Sequence, residues 1–338
     1  MTILPMAPKI VVLGSGAWGT AIALSLARNG RPVTIWAHSA EAAKEIVDAG
    51  ENVLFLPGFP LPPSITVTGD NAAVAPADII VSVVPSEFLR LTFTRLAPHL
   101  RPGQIIVSAT KGVENGTLLR MTQVIAENTA GLSLPIGALS GPSFAQEVAH
   151  GQPTAVTVAF EEPAIAGLVQ REFSSESLRL YTSTDVIGVE LGGALKNVIA
   201  IAAGIAAGVG LGHNSAAGLI TRGIAEITRL AVACGGRRET LAGLSGLGDL
   251  VLTCTGSLSR NRTVGVALGE GRKLPEILAS LGGKVAEGVL TTHAALGLAR
   301  RQRIEMPIAE QMELILEKGK DPREAIKDLM LRPGKHEH

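Results

Sequence analysis

The order of apolar and polar positions divides the chain into two halves. In the first half, short apolar runs alternate with stretches of helical spacing, and strands are predicted over 9–13, 32–36, 64–68, 78–84, 104–109, 135–139 and 154–159. Runs such as DIIVSVV (78–84) consist mainly of Val and Ile, which is typical of strands covered by helices on both faces. This alternation predicts an α/β domain with a doubly wound, Rossmann-type parallel sheet.

The pattern changes near residue 185. From there Ala, Leu and Gly recur at helical spacing, and helices are predicted over 186–208, 215–234, 239–245, 260–269, 274–281, 291–301, 307–317 and 322–330. We therefore expect two domains, an α/β domain over residues 1–188 and an all-α domain over 189–338.

Composition narrows the class of protein. The chain has 338 residues with 30 basic and 30 acidic side chains, and this balance argues against nucleic acid or an anionic membrane as a partner. The apolar run 198–212 is shorter than the ~20 residues of a bilayer span, so we expect a buried core helix. The N-terminus lacks a signal-peptide pattern. Cys234 and Cys254 form neither a disulfide framework nor a metal motif, which favours a cytoplasmic protein without metal.

The first predicted strand runs directly into a glycine-rich loop, KIVVLGSGAWGTA (9–21). In a strand–turn–helix context, Gly14 permits the tight turn and Gly16 lets a pyrophosphate approach the backbone. Gly19 lets the helix pack on the strand, and the helix N-terminus faces the phosphates. A purely structural turn is the alternative, but the position of the loop favours a dinucleotide site.

The residue that usually selects the dinucleotide is absent. An Asp or Glu is expected at the end of the second strand, where it would bind an unphosphorylated ribose. Here the strand ends in Trp36, Ala37 and His38, and the first acid is Glu41 in the next helix. His38 is interpreted as a contact for a 2′-phosphate or as an exposed loop residue. The sequence favours NADP or dual use without deciding between NADP and NAD.

Two loops of the first half carry polar groups where strands should end at the crevice. Lys111, in SATKG, is placed to direct its ammonium group at an anionic substrate, or it is a solvated loop lysine. The segment SGPSFAQE (140–147) combines Gly141 and Pro142 with a helix start. It either caps that helix or presents backbone N–H groups and Ser143 to a ligand.

The second half contains an unusual lysine. Lys196 and Asn197 lie within VELGGALKNVIAIAAGIAAG, a predicted helix that is apolar on nearly every face. Burying an ammonium group without a partner costs several kcal/mol. We therefore expect Lys196 to reach a polar cavity or a partner carboxylate, with a snorkelling lysine as the alternative. Such a lysine is suited to donate a proton to an alkoxide formed by reduction of a ketone.

Two further segments of the second half suggest partners for that lysine. GLSGLGDLVLTCTG (243–256) carries a single charge, Asp249, which is a candidate partner or hydroxyl-binding group. SLSRNRTVG (257–265) places Ser259, Arg260 and Asn261 at a helix start. A hydroxyl, a guanidinium, an amide and a helix N-terminus together predict a phosphate-binding site, with a plain N-cap as the alternative.

Taken together, these motifs resemble those of the bacterial NAD(P)-dependent glycerol-3-phosphate dehydrogenases over nearly the whole chain. The matching motifs, in order, are GSGAWGTA, VVPS, ATKG, SGPSFAQE, LGGALKNVIAI, ITRG, GLGDLVLTCT, SRNR and VAEG. The resemblance implies reversible, NADH- or NADPH-dependent reduction of dihydroxyacetone phosphate to sn-glycerol 3-phosphate, a precursor of glycerophospholipids. A β-hydroxyacid or ketopantoate-type reductase is the runner-up, and a non-catalytic NAD(P)-sensing module is a more distant alternative.

The resemblance also implies roles for individual residues. The proton donor and acceptor is Lys196. The implied substrate contacts are Lys111, Gly141, Ser143, Lys196, Asp249, Ser259, Arg260 and Asn261. The implied cofactor contacts are the loop residues Gly14, Gly16, Ala17, Trp18 and Gly19, followed by His38, Lys111, Ala145, Arg260, Val285 and Glu287. The large apolar helical half favours a homodimer.

Overall fold

The computed structural model describes residues 8–281, 285–334 and 336–337. Most of the N-terminal segment for which no signal peptide is predicted lies outside these residues. Eight strands form one sheet: β1 (Ile10–Leu13), β2 (Val33–Trp36), β3 (Ile65–Thr68), β4 (Ile79–Ser82), β5 (Ile105–Ser108), β6 (Ile136–Ser140), β7 (Thr154–Ala159) and β8 (Leu178–Ser183). Their order is β3-β2-β1-β4-β5-β6-β7-β8.

The predicted doubly wound sheet is confirmed, with one local departure. Neighbouring strands are parallel except β6 and β7, which pair antiparallel with Leu139 opposite Val158. The connection between them begins and ends at the same edge of the sheet, so β7 runs back along β6. The sequence pattern missed β8, because only Leu178 and Leu180 of this edge strand are buried, and two alternating leucines give a weak strand signal.

Among the described residues, six α-helices belong to the sheet domain: α1 (Ala17–Arg28), α2 (Ala40–Ala49), α3 (Ser86–Leu96), α4 (Met121–Asn128), α5 (Ala145–Ala149) and α6 (Pro163–Phe173). The second half contains α7 (Val186–Gly208), α8 (His213–Ala233), α9 (Arg238–Leu241), α10 (Asp249–Thr255), α11 (Arg260–Gly269), α12 (Leu274–Ser280), α13 (Glu287–Gln302), α14 (Pro307–Lys318) and α15 (Pro322–Met330). The predicted all-α second half is confirmed. The prediction missed α10 and the π-helical segment Leu244–Gly248 that precedes it, because the sequence before Asp249 is rich in glycine.

The second half is organised around α7. This helix begins at Val186, where the Asp185 carboxylate accepts a hydrogen bond of 2.8 Å from the Gly188 N–H. A domain boundary after residue 188 would therefore fall in the first turn of α7. The helix is long and apolar enough to cross a bilayer, but 94% of its most apolar stretch is buried inside the protein. It forms the centre of the helical core.

Glycines bring α7 and α11 into close contact. A Cβ added to Gly265 of α11 would lie 2.1 Å from the Ile201 carbonyl oxygen, and one on Gly204 of α7 would lie 2.1 Å from the Arg262 carbonyl oxygen. The two backbones therefore pack together with no room for a methyl group. This contact holds the start of α11 beside α7, and both helices carry candidate site residues.

We expect Gly265→Ala to lower the free energy of unfolding by about 2 kcal/mol or more, because the added methyl group would overlap backbone that cannot easily move. Urea denaturation followed by circular dichroism measures the loss. Gly167→Ala in α6 is the matched control, since a Cβ there has nothing within 4 Å. Alanine at that position should be neutral or stabilise the helix by up to about 1 kcal/mol. Equal stabilities of the two variants would contradict the packing interpretation.

Candidate functional site

The glycine loop connects β1 to α1 at the carboxyl edge of the sheet. Gly14 has a φ of 110°, and its N–H donates a hydrogen bond of 2.9 Å to the Trp36 carbonyl oxygen. A Cβ on Gly19 would lie 2.0 Å from the Gly14 carbonyl oxygen. Both positions therefore require glycine for backbone reasons, namely a left-handed turn and a close approach of α1 to the loop.

The third glycine leaves one side of the loop open. Gly16 is the N-cap of α1. Among the described residues, no side chain caps this helix end, and a Cβ on Gly16 would meet nothing within 4 Å. The first backbone N–H groups of α1, at Ala17 and Trp18, therefore point away from the helix without a capping acceptor. An uncapped helix N-terminus beside an open glycine fits the pyrophosphate of a dinucleotide.

A buried cluster of charges lies where the helical half meets the loop after β5. The Asp249 carboxylate, fully buried at the start of α10, accepts hydrogen bonds from two lysines. Lys196 on α7 donates to its Oδ1, and Lys111 donates to its Oδ2 over 2.8 Å. Asp249 is thus the partner carboxylate that the burial of the Lys196 ammonium group requires. With 6% of its surface exposed, Lys196 does not snorkel to solvent.

Burial and mutual attraction set the ionisation of this cluster. Burial alone would raise the pKa of the Asp249 carboxyl, but the two ammonium groups outweigh it and hold that pKa below its usual range. Burial lowers the pKa of Lys196 to about 8, with a further contribution from Lys111, although Asp249 opposes both effects. Burial also disfavours the charge on Lys111, yet Asp249 and Glu287 raise its pKa overall. Lys196 is therefore the member suited to exchange a proton near neutral pH.

Two polar residues that sequence reasoning did not single out complete this cluster. Thr253 lies one helical turn after Asp249; its hydroxyl donates to the Asp249 carbonyl oxygen (2.6 Å) and accepts from Lys196 Nζ (2.7 Å). The Ser140 hydroxyl lies 3.4 Å from Asp249 Oδ2. The spacing of four residues in DLVLT could have indicated Thr253, because positions i and i+4 share one helix face. Nothing in the local sequence indicates Ser140.

The paired glycines before Lys196 let other segments of the chain pack closely against α7. A Cβ on Gly192 would lie 2.5 Å from the Ser245 carbonyl oxygen in the π-helical segment, and one on Gly193 would lie 2.3 Å from Ser140 Oγ. These contacts bring β6 and the π-helical segment against α7. They position Asp249, the residue that follows the π-helical segment, beside Lys196.

A second polar group lies at the start of α13. Glu287 receives a hydrogen bond of 3.4 Å from the Asn197 amide, and the Asn261 Oδ1 accepts one of 2.9 Å from the Gly288 N–H. Burial raises the pKa of Glu287 although the nearby charges of Arg260 and Lys111 oppose it. Those electrostatic contacts show that Glu287 lies near both cations. Residues of ATKG, GGALKN, SRNR and VAEG are therefore neighbours in space.

The structure also shows the positions of the other residues that were predicted to contact the substrate or the cofactor. The Ser259 hydroxyl accepts from the Arg262 N–H (3.2 Å) and so caps α11, with the exposed Arg260 following it. The Ser143 hydroxyl donates to the Gly141 carbonyl oxygen (3.0 Å), and Gly141 has a φ of 151°. Ala145 begins α5, and Val285 is half-buried just before α13. His38 is exposed after β2, and its carbonyl oxygen accepts from Arg95 (3.3 Å).

An open glycine loop after the first strand of a largely parallel sheet, together with a buried cluster of lysines and a carboxylate at the helical half, is typical of an NAD(P)-dependent dehydrogenase. Comparison with known families gives the particular one. The model described as the NAD-dependent glycerol-3-phosphate dehydrogenase N-terminus matches residues 9–166, and its C-terminus counterpart matches residues 185–327. The chain belongs to the NAD-dependent glycerol-3-phosphate dehydrogenase family, and the family predicted from its motifs is confirmed.

Individual relatives are similar to this chain over nearly its whole length. A glycerol-3-phosphate dehydrogenase [NAD(P)+] of Acidobacterium capsulatum is 61% identical, covering 97% of this chain and 99% of the relative. One of Koribacter versatilis is 57% identical over 96% and 98%. The crystal structure of the glycerol-3-phosphate dehydrogenase from Coxiella burnetii superposes with a TM-score of 0.93 at 40% identity, covering 97% of this chain and 100% of that one.

Proposed function

We propose that this protein catalyses the reversible reduction of dihydroxyacetone phosphate to sn-glycerol 3-phosphate with NADH or NADPH, supplying glycerophospholipid synthesis. The observation that carries the proposal is the buried Lys196–Asp249–Lys111 cluster, in a chain whose glycine loop is open at Gly16. Family membership supports the substrate and the cofactor, because relatives that match the whole chain are named glycerol-3-phosphate dehydrogenase [NAD(P)+].

The first half of the chain, up to residue 188, is proposed to hold the dinucleotide. The glycine loop, with Gly14, Gly16, Ala17, Trp18 and Gly19, would cradle the pyrophosphate at the N-terminus of α1. The other proposed cofactor contacts are His38, Lys111, Ala145, Arg260, Val285 and Glu287. When bound, a reduced nicotinamide supplies the hydride for the ketone carbon.

The helical half, from residue 189, is proposed to supply the proton and the substrate contacts. Lys196 donates a proton to the oxygen of the former ketone, and in the reverse direction it accepts that proton. Asp249 and Thr253 hold its ammonium group in place through the hydrogen bonds described above. Lys111 keeps a positive charge at the same carboxylate and is available to an anionic substrate. Gly141, Ser143, Ser259, Arg260 and Asn261 are the further proposed substrate contacts.

We expect Arg260→Ala to raise KM for dihydroxyacetone phosphate by about tenfold to a hundredfold, the size expected for loss of a charged hydrogen bond to the phosphate. Because Arg260 is exposed, the substitution should leave the fold intact. Initial rates over a range of substrate concentrations provide the measurement. Arg272→Ala removes a different exposed arginine of the helical half and serves as the control. An unchanged KM in Arg260→Ala would remove this residue from the phosphate site.

One assay tests the proposed reaction. Loss of nicotinamide absorbance is followed with dihydroxyacetone phosphate, using NADH and NADPH in parallel, and the same reactions are repeated with ketopantoate. Rapid turnover of the phosphorylated ketone alone supports the proposal. Preferential turnover of the carboxylic acid would favour the ketopantoate-type alternative, and tight nucleotide binding without turnover would favour a sensing module.

We further propose that the protein is a cytoplasmic homodimer. Several large apolar side chains of the helical half are exposed, among them Leu211, Val232 and Leu290, and a second copy would cover such surface. Cys234 and Cys254 are both free thiols, which suits a reducing compartment. Sedimentation velocity of the full chain tests the dimer, and a single monomeric species at micromolar concentration would contradict it.

A further inference from the structure

The carboxyl end of β2 lacks an acid, but it carries a cation that comes from another part of the chain. Arg95, in the last turn of α3, places its guanidinium over the Trp36 ring, 5.1 Å from the ring centroid. Its Nη1 and Nη2 atoms both lie 3.3 Å from the His38 carbonyl oxygen. Arg95 is itself exposed, so a polar ligand at this edge of the sheet can reach it.

No acidic residue in the described part of the chain forms an ion pair with Arg95. Besides His38, its polar partner is the Asn71 side-chain oxygen, 2.9 Å from Nη2 and 3.3 Å from Nε. Every hydrogen bond that the described part of the chain provides to Arg95 therefore ends on a neutral oxygen. By contrast, Arg90 on the same helix pairs with Glu114.

Glu41, the acidic residue that follows β2 in the sequence, does not pair with Arg95 in the described part of the chain. Glu41, in the first turn of α2, interacts with its own helix backbone and with the Ser39 hydroxyl. No ion pair between Glu41 and Arg95 is present among the described residues. Among the described residues, the guanidinium at the end of β2 therefore has no acidic partner, and it lies in the position where Rossmann sheets bind the adenosine ribose.

We propose that Arg95 binds the 2′-phosphate of NADP and is the residue that gives this chain its tolerance for the phosphorylated dinucleotide. The inference rests on the dinucleotide site of the proposed function. A guanidinium offers a planar set of donors that matches phosphate, and Nη1 retains one hydrogen that its present contacts do not use. Packing on Trp36 limits the conformations of the side chain, so little entropy is lost when a phosphate binds. His38 acts here through its backbone carbonyl, which orients Arg95.

Nucleotide binding without substrate tests this role. Isothermal titration calorimetry at fixed ionic strength compares adenosine 2′,5′-bisphosphate with AMP, and fluorescence titration compares NADPH with NADH. Arg95→Gln should weaken binding of the bisphosphate and of NADPH by roughly tenfold to a hundredfold, as expected for loss of a charged hydrogen bond, and should affect AMP and NADH much less. Arg95→Lys, which keeps the charge but not the planar donors, should give a smaller loss.

Two further variants make the test specific. Arg101→Gln removes the same charge at the opposite edge of the sheet, where Arg101 pairs with Asp78 just before β4, and should leave the ratio of the two affinities unchanged. His38→Ala removes the imidazole, which is the competing candidate for the 2′-phosphate contact, and keeps the backbone carbonyl that orients Arg95. Thermal unfolding of each variant checks that the fold persists.

Three results would overturn the proposal: equal losses for phosphorylated and unphosphorylated nucleotides in Arg95→Gln, no loss for either, or a selective loss in His38→Ala alone. These binding results do not depend on whether the protein catalyses the proposed reaction. A protein that binds both nucleotides but does not turn over dihydroxyacetone phosphate would contradict the proposed function while leaving the role of Arg95 intact.

Discussion

Replacement of Lys196 with methionine is expected to lower kcat for reduction of dihydroxyacetone phosphate by about 10²- to 10⁴-fold, the usual contribution of a positioned general acid. Methionine keeps much of the volume of the side chain and removes the only part of it that exchanges a proton. Binding of NADH, measured by fluorescence titration, should change little, because Lys196 lies in the helical half rather than in the glycine loop. Such a split between kcat and cofactor affinity identifies loss of a chemical step.

The pH dependence gives a second measurement for the same residue. Reduction of the ketone requires protonated Lys196, so its rate should fall as the pH rises through about 8, the value to which burial lowers its pKa. Oxidation of sn-glycerol 3-phosphate requires the neutral amine, so its rate should rise over the same interval. Lys44→Met, which removes an exposed lysine of α2, is the control. Near-normal turnover in Lys196→Met would exclude the proposed proton donor.

Replacement of Asp249 with asparagine is expected to lower the free energy of unfolding by about 3–5 kcal/mol, because it leaves two buried ammonium groups without their carboxylate. Asparagine has nearly the same shape, so the loss reflects charge rather than a cavity. Urea denaturation at pH 7 followed by circular dichroism measures it. The kcat should also fall, since Lys196 loses a partner that orients it and stabilises its protonated form.

A double variant separates the effect of charge from a general disturbance of the site. Lys196→Met combined with Asp249→Asn removes one of the two unpaired ammonium groups and should recover part of the stability lost in Asp249→Asn. The coupling between the two substitutions then measures their interaction. Additive losses, or a loss below about 1 kcal/mol in Asp249→Asn alone, would contradict a buried ion pair at this position.

The predictions from sequence succeeded where local pattern and local chemistry agree. Continuous Val and Ile runs identified the buried strands β1, β4 and β5, and apolar residues on all faces identified α7 as a core helix. They failed at β8, whose alternating pattern is weak. They also failed at α10, where the preceding glycines, among them Gly246 packed against the Leu241 backbone, look like helix breakers.

By itself, the sequence determined that a glycine loop opens a Rossmann-type sheet, that Lys196 needs a buried polar partner, and that the motifs are those of one dehydrogenase family. These conclusions follow from short-range geometry and from the cost of burying a charge, both of which can be read from neighbouring residues. Only the tertiary structure decided that Asp249 is that partner and that Lys111 shares it. Only the structure placed Arg95 beside His38, which lies 57 residues earlier in the chain. Contacts at such separations depend on strand order and helix packing, so no local pattern of residues specifies them.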